Sequence, residues 1–235
     1  MLKKYHRILL KVSGEFLGSD SKIHDTKCID YFCKELLPLY KSGIELLIVV
    51  GGGNICRGRD YVNSPISRTT ADQIGMLATI INGLALKEIL KVHNVPSVVL
   101  SSIAVPGLCS TYSIEAAENA IRKKEVVICV GGTANPFVST DTSAVIRAAE
   151  VSCDIMLKCT QVGGVFSDDP TTNCNSVKYD KLTYHDVLDK RLKVIDLPAI
   201  CIAMEQGLKI GVLSINKPGN LAGVVSGGGE YTIIY

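Results

Sequence analysis

The chain has 235 residues, of which 47% are hydrophobic and 20% are charged. Its 25 basic and 23 acidic residues nearly balance, so charge gives no basis for binding nucleic acid or an acidic membrane surface. The composition suits a globular protein with a sizeable core, and the length fits one large domain or two small ones.

Short aliphatic runs predict strands that are buried on both faces, because they do not alternate strictly with polar residues. The predicted strands are 8–12, 46–50, 97–101, 126–130, 155–159, 211–215 and a short final strand within 226–235. Apolar residues at helical spacing predict helices at 27–41, 68–93, 114–124, 142–152, 183–190 and 198–207. Thr183 and Asp186 fit a capping box. This alternation predicts an α/β fold, a three-layer doubly wound sandwich with a mostly parallel sheet, as one domain over residues 1–235.

The cysteines and the N-terminal segment indicate the compartment. Nine cysteines are present, an odd number, and none forms a CxxC pair, so reduced thiols are expected rather than disulfides or zinc. The N-terminal segment is basic but lacks the apolar stretch of a signal peptide. No run approaches the ~18 apolar residues that span a membrane. We therefore expect a soluble cytoplasmic protein.

The loops that follow the predicted strands carry the functional signal, because ligands of open α/β sheets bind beyond the carboxyl ends of the strands. Four strands open into loops rich in Gly, Ser or Thr, which read SGE, GGGN, GGTANPF and TQVGGVFSDDP. Lys11 and Lys158 lie near two of these ends. Glycine turns offer N–H groups to anions, and lysines neutralise a phosphoryl group in transfer. Each loop alone would fit a plain turn, but together they predict a nucleotide or phosphate enzyme.

Two standard phosphate motifs are absent from the sequence. A P-loop needs a Gly-Lys pair, and the chain contains none. A GxGxxG fingerprint that starts at Gly51 would need glycine at position 56, which is Cys56.

A set of motifs in a fixed order carries a family resemblance over nearly the whole chain. The segments are Lys11–Gly14, Gly51–Asn54 with Arg57 and Gly58, Asp72 with Gly75–Ala78, Gly132–Phe137 with Thr140 and Asp141, Leu157–Thr160, Gly164–Phe166, Asp168–Pro170, Lys193–Asp196 and Asn216–Gly219. This set resembles the bacterial uridylate kinases of the amino-acid kinase superfamily. The chain departs from the family at Ala134, where glycine is common, and at Gly163, where an acidic or amide residue is common.

The resemblance implies the reaction UMP + ATP → UDP + ADP in pyrimidine biosynthesis, with Mg²⁺ bound through the ATP phosphates and with no metal ligand assigned to the protein. It also implies a homohexamer, with acceptor and subunit contacts mainly in the N-terminal part and ATP contacts mainly in the C-terminal part. The implied ATP-binding residues are Lys11, Val12, Ser13, Gly14, Gly53, Arg57, Thr160, Phe166 and Asp169. The implied UMP-binding residues are Gly52, Asp72, Thr133, Ala134, Asn135, Pro136, Phe137, Val138, Ser139 and Thr140.

The chemistry of this reaction agrees with the residues present. An acceptor phosphate is largely ionised at neutral pH, since its second pKa is about 6, so no general base is required. Positive charge between two converging anions is required, and Lys11, Arg57 and Lys158 suit that role. Asp141 and Asp196 are candidates to orient the lysines or waters on Mg²⁺.

Two other functions remain open from the sequence. The chain could be a superfamily member that phosphorylates a carboxylate or carbamate, or a non-catalytic nucleotide- or anion-binding protein on the same fold. The GGTANPF loop and Asp72 favour a nucleotide acceptor, and the two lysines favour catalysis. A Rossmann oxidoreductase is a distant third.

Overall fold

A mostly parallel sheet forms the centre of the protein. The computed structural model describes residues 4–19, 21–56, 61, 64–168, 170, 172–173 and 175–235. Within these residues the strands are β1 (Arg7–Val12), β2 (Glu45–Val50), β3 (Ser97–Ser101), β4 (Ser110–Thr111), β5 (Val126–Val130), β6 (Ile155–Thr160), β7 (Val165–Phe166), β8 (Lys178–Tyr179), β9 (Lys181–Leu182), β10 (Lys209–Ser214) and β11 (Thr232–Ile234). The central sheet has the order β4-β3-β5-β2-β1-β6-β10-β11-β9, and β7 and β8 form a separate hairpin. The β10–β11 pair of the central sheet is antiparallel, and the other pairs are parallel.

Helices cover both faces of the sheet. They are α1 (Thr26–Lys41), α2 (Arg68–Val92), α3 (Ile114–Arg122), α4 (Thr140–Glu150), α5 (Tyr184–Asp189), α6 (Leu197–Gln206) and α7 (Asn220–Ser226). Successive residues of β1 enter two separate cores. Ile8 and Leu10 pack with α1, α2 and α7, whereas Leu9 packs with α3, α4, α5 and α6. The predicted three-layer α/β fold is confirmed.

The structure corrects several predicted boundaries. Helix α4 begins at Thr140 rather than at 142, because the Ser139 side chain caps it by accepting from the N–H groups of Asp141 and Thr142. Strand β10 ends at Ser214, one residue earlier than predicted. Helix α7 and the two-residue strands were not predicted, because they are too short to show a period. The capping box at Thr183 is confirmed.

Helix α2 is the longest helix of the described chain, and it is more apolar than the sequence analysis recognised. By length and composition alone it could cross a membrane, with a mean hydropathy of 1.3 over its best 18-residue window. However, 44% of that window is buried inside the protein, where α2 packs on β3 and β5. A core helix of a globular protein passes the same test of length and composition, so the test by itself does not indicate a membrane span.

The cysteines that the structure describes are free, and half of them are buried. Burial raises the pKa of the thiols of Cys33, Cys129 and Cys159 to about 12. Such thiols stay protonated near neutral pH and are poor nucleophiles. Cys174 lies outside the described residues.

Two glycines of α2 test how closely the helix approaches the sheet. A Cβ at Gly83 would lie 2.5 Å from Val130 Cγ1, and a valine side chain is too stiff to move aside. A Cβ at Gly75 would meet nothing within 4 Å. We expect Gly83→Ala to lower the free energy of unfolding by about 1–3 kcal/mol through overpacking. Gly75→Ala should instead raise it by up to about 1 kcal/mol, because alanine favours the helix.

Chemical denaturation of the two variants beside the unmutated protein makes this comparison. Equal effects of the two substitutions would contradict the close approach of α2 to β5.

Candidate active site

The carboxyl ends of four neighbouring parallel strands meet at one edge of the sheet. β5, β2, β1 and β6 lie side by side in this order. The register between β1 and β6 places Lys11 directly beside Lys158. Two residues earlier on the same face, Leu9 and Met156 enter the core beneath α4. The two lysines therefore leave the sheet together, next to the first turn of α4.

One buried carboxylate lies between the two lysines. Asp141, in the first turn of α4, has its Oδ1 2.9 Å from Lys11 Nζ and its Oδ2 2.5 Å from Lys158 Nζ. Lys158 Nζ also donates to the backbone carbonyl of Val194 at 2.5 Å. The helix N-terminus adds favourable partial positive charge around the carboxylate. Asp141 thus fixes the positions of both ammonium groups.

In this cluster, burial and ion pairing shift the pKa values of Asp141 and Lys158 in opposite directions. Burial by itself would raise the pKa of Asp141, but the charges of Lys11 and Lys158 outweigh it and hold that pKa below its ordinary value. Burial lowers the pKa of Lys158, and the adjacent Asp141 partly offsets this effect. The carboxylate is therefore ionised at neutral pH and keeps the buried ammonium of Lys158 charged to a higher pH than burial alone would allow.

Asp196, the other candidate carboxylate, binds hydroxyl groups instead of the lysines. Ser139 Oγ donates to its Oδ1 at 2.8 Å, and Thr142 Oγ1 donates to its Oδ2 at 2.5 Å. These bonds join the start of α4 to the start of α6, where Asp196 occupies the N-cap position. Asp141 and Asp196 both line a cleft of about 800 Å³ that also includes Lys158 and Lys193.

The glycine triplet after β2 lies against α2. A Cβ at Gly52 would lie 2.7 Å from the carbonyl oxygen of Gly75 and 2.9 Å from the Cβ of Ala78. Gly52 is therefore required by a close approach of the loop to a helix, a reason that the sequence alone did not reveal. Gly53 lines a second cleft, of about 580 Å³, with Glu15 and Lys22 among its walls.

The loop after β5 has an unusual backbone conformation. Gly131, Gly132, Ala134 and Phe137 all have positive φ, with 63° at Ala134 and 68° at Phe137. Asp72 of α2 accepts the N–H of Phe137 at 2.8 Å. The same carboxylate pairs with Arg68, also at 2.8 Å. The structure thus joins Asp72 to the loop that was predicted to share its ligand.

Within that loop, most predicted UMP-binding residues face solvent. The exposed residues are Ala134, Asn135, Phe137, Val138 and Ser139, and the partly buried ones are Thr133, Pro136 and Thr140. The Asn135 side chain donates to the Thr133 carbonyl at 3.1 Å, which folds the loop on itself.

The predicted ATP-binding residues are spread over several elements. Val12 ends β1, Ser13 occupies the N-cap position of the short 3₁₀ helix Gly14–Leu17, and Gly14 is the first residue of that helix. Thr160 ends β6 and donates its hydroxyl to the Val162 carbonyl. Phe166 lies in β7, outside the central sheet. Arg57 and Asp169 lie outside the described residues.

Some residues at this edge escaped the sequence analysis. Val194 contributes a backbone carbonyl, which leaves no signal in residue type. Thr142 stood at the predicted start of a helix, and its bond to Asp196 depends on tertiary structure. Asn82 is fully buried in α2 and donates to the Gly51 carbonyl at 2.7 Å. Its signal in the sequence is an amide side chain within an apolar helical stripe.

The described residues contain no group of three or more His, Cys, Asp or Glu side chains arranged to hold a metal ion. The two carboxylates nearest the lysines are already engaged, Asp141 by ammonium groups and Asp196 by hydroxyls. These residues do not fit a metal bound mainly by protein ligands.

Comparison with known proteins places the chain in a family. Residues 6–214 match the sequence model of the amino acid kinase family. A uridylate kinase of Rickettsia bellii is 47% identical over 98% of this chain and 97% of its own length. The crystal structure of the UMP kinase from Ureaplasma parvum has a TM-score of 0.93 and 37% identity, covering 98% of this chain and 99% of that one. The crystal structure of the UMP kinase from Bacillus anthracis has a TM-score of 0.95 and 35% identity, and the match covers 98% of this chain and 96% of that one. On this match over nearly its whole length, the protein belongs to the amino acid kinase family and, within it, to the uridylate kinases.

Proposed function

We propose that this chain transfers the γ-phosphoryl group of ATP to UMP, giving UDP and ADP. The observation that carries the proposal is the pair of buried lysines, Lys11 and Lys158, held side by side by Asp141 at the carboxyl edge of the sheet. Phosphoryl transfer requires little covalent chemistry from a protein, and it depends on positioning and on charge stabilisation. Two fixed ammonium groups beside glycine loops supply both.

The charge of the cluster bears on the role of Mg²⁺. Two lysines and one aspartate leave a single net positive charge, whereas ATP and UMP together bring several negative charges. Backbone N–H groups at glycine turns and helix ends contribute further compensation. We propose that Mg²⁺ bound to the ATP phosphates would supply the remainder, without a ligand from the described residues.

Asp72 and the loop after β5 support a nucleotide as the acceptor. The Asp72 carboxylate lies where it accepts the Phe137 N–H, so a ribose hydroxyl and the loop backbone would compete for, or share, its oxygens. We propose that Gly52, Asp72 and residues 133–140 bind UMP, and that ATP is bound by 11–14, Gly53, Arg57, Thr160, Phe166 and Asp169. A carboxylate or carbamate acceptor, or a non-catalytic role, is not favoured, because the full-length relatives carry the name of uridylate kinase.

The assembly and location belong to the same proposal. Helix α2 buries Met76 and Ile80 but leaves Leu77 and Ile81 about half exposed. A stripe of this kind on one helix face suits a contact between subunits. We propose a homohexamer in the cytoplasm that serves pyrimidine nucleotide biosynthesis, with this helix at a subunit interface.

A panel of acceptors tests the reaction. ADP release would be measured with UMP, CMP, glutamate, aspartate and carbamate under the same conditions. We expect turnover with UMP well above that with every other acceptor. Turnover on a carboxylate or carbamate would instead identify another activity of the superfamily, and ATP binding without turnover would favour a storage or sensing protein.

The two lysines should act mainly on the chemical step. We expect Lys11→Ala and Lys158→Ala each to lower kcat by about 10²- to 10³-fold, with much smaller changes in KM, because their charges stabilise the transferring phosphoryl group. Lys209→Ala is the matched control, because Lys209 is exposed at the first residue of β10, away from the carboxyl edge of the sheet. This variant should retain kcat. A normal kcat in either lysine variant would remove that residue from the mechanism.

Asp141 should set the upper pH limit of activity. Its charge raises the pKa of Lys158, so Asp141→Asn lowers that pKa further. As pH rises, the variant should therefore lose kcat at a lower pH than the unmutated enzyme, in kcat profiles measured from about pH 6 to 10. Asp189→Asn, on the exposed end of α5, serves as control. An unshifted alkaline limb in Asp141→Asn would refute a need for charged Lys158.

A further inference from the structure

Two polar side chains lie on the otherwise apolar buried face of α2. Thr79 is 2% exposed and Asn82 is 0% exposed. A buried polar group costs free energy unless its hydrogen bonds are made, so their partners show what the burial achieves. Both bind the loops at the carboxyl edge of the sheet.

Asn82 uses its whole amide to join two loops. Its Nδ2 donates to the Gly51 carbonyl and to Asn54 Oδ1, each at 2.7 Å. Its Oδ1 accepts from Asn54 Nδ2 at 3.1 Å and from His24 Nε2 at 2.7 Å. Asn54 also donates to the Ile23 carbonyl at 2.8 Å. The loop after β2 and the segment before α1 are therefore fixed to each other through one helix side chain.

The loop after β1 packs on the same pair of amides. A Cβ at Gly14 would lie 2.3 Å from Asn54 Oδ1 and 2.9 Å from Asn82 Nδ2. Gly14 is thus pressed against the hydrogen-bonded amides, and any displacement of Asn54 would disturb the turn that follows Lys11.

Thr79, one turn earlier on α2, holds the loop after β5. Its Oγ1 accepts the N–H of Gly131 at 2.7 Å and donates to the Met76 carbonyl at 2.7 Å. Gly131 is the first residue of that loop and has φ of 75°, so this bond sets the direction in which the loop leaves the sheet. The next residue, Gly132, is held from the other side by Ser102 Oγ at 2.7 Å.

We propose that Thr79 and Asn82 are positioning residues, Thr79 for UMP binding by the loop after β5 and Asn82 for phosphoryl transfer at the glycine triplet. Through them a single rigid helix sets the separation between the glycine triplet and the loop after β5. This inference rests on the proposed function, in which the former loop lies where the two phosphate chains meet and the latter binds UMP. Because misplacement of a reacting group by about 1 Å can cost 10²-fold in rate, such anchoring has a kinetic consequence.

The two anchors should give different kinetic signatures. Thr79→Val keeps the side-chain shape but removes the acceptor, so we expect KM for UMP to rise about tenfold with kcat and KM for ATP nearly unchanged. Thr79→Ser keeps the hydroxyl and should restore KM for UMP to within about twofold of the unmutated value. These magnitudes follow from the loss of one hydrogen bond to a neutral group.

Asn54→Ala tests the other anchor without disturbing the helix core. It removes the main partner of Asn82 from a partly buried loop, and we expect kcat to fall by at least tenfold with both KM values nearly unchanged. Asn119→Ala, on the exposed face of α3, is the matched control and should match the unmutated enzyme. Thermal unfolding of every variant separates kinetic effects from loss of the fold.

The outcomes separate the proposed function from the positioning roles of Thr79 and Asn82. An unmutated enzyme that turns over UMP, with Thr79→Val and Asn54→Ala changing only the unfolding temperature, would leave the proposed function intact and overturn the positioning roles. Failure of Thr79→Ser to restore KM for UMP would also overturn the role of the Thr79 hydroxyl. An unmutated enzyme inactive on UMP would refute the proposed function and this inference together.

Discussion

Two lysines lie side by side across β1 and β6, and the rest of the active edge depends on the carboxylate that lies between them. Buried ammonium groups repel each other and lose hydration, so neither would stay in place without Asp141. That carboxylate belongs to the first turn of α4, and its contacts require the helix to begin at Thr140 over the ends of these strands. The ion cluster and the packing of α4 on the sheet are therefore one arrangement, in which a shift of the helix would separate the charges.

On the other face of the sheet, helix α2 holds the loops of the active edge in place. Apolar contacts with β3 and β5 fix its axis, and Gly83 lets it approach the sheet closely. Because the helix is stiff and continuous, the loops bonded to Thr79, Asn82 and Asp72 keep fixed positions relative to one another. The charged cluster beneath α4 and the loops bonded to α2 thus meet at the same edge from opposite layers.

The fold was largely predictable, because buried parallel strands appear as plain aliphatic runs, and the lysines could be assigned to one edge from strand ends alone. The sequence put forward Asp141 and Asp196 equally as partners of the lysines. Choosing Asp141 required the β1–β6 register and a helix start set by the capping hydroxyl of Ser139. The bonds of Asp196 with Ser139 and Thr142, and those of Asn82, also join residues far apart in sequence. The likeness to a family could suggest the roles of these positions but not their partners.

Ala134 shows what the conformation of the loop after β5 costs the chain. An alanine with φ of 63° costs about 1–2 kcal/mol relative to the ordinary region, and glycine would avoid this cost while adding freedom to the unfolded chain. The two effects oppose each other, so the net cost of alanine at this position is smaller than the strain alone. Phe137, with a similar φ, differs because its N–H is bound by Asp72 and its ring lies 5.8 Å from the Arg68 guanidinium. The backbone at position 137 is therefore held by contacts with α2, whereas at position 134 the balance is set by backbone strain and chain entropy.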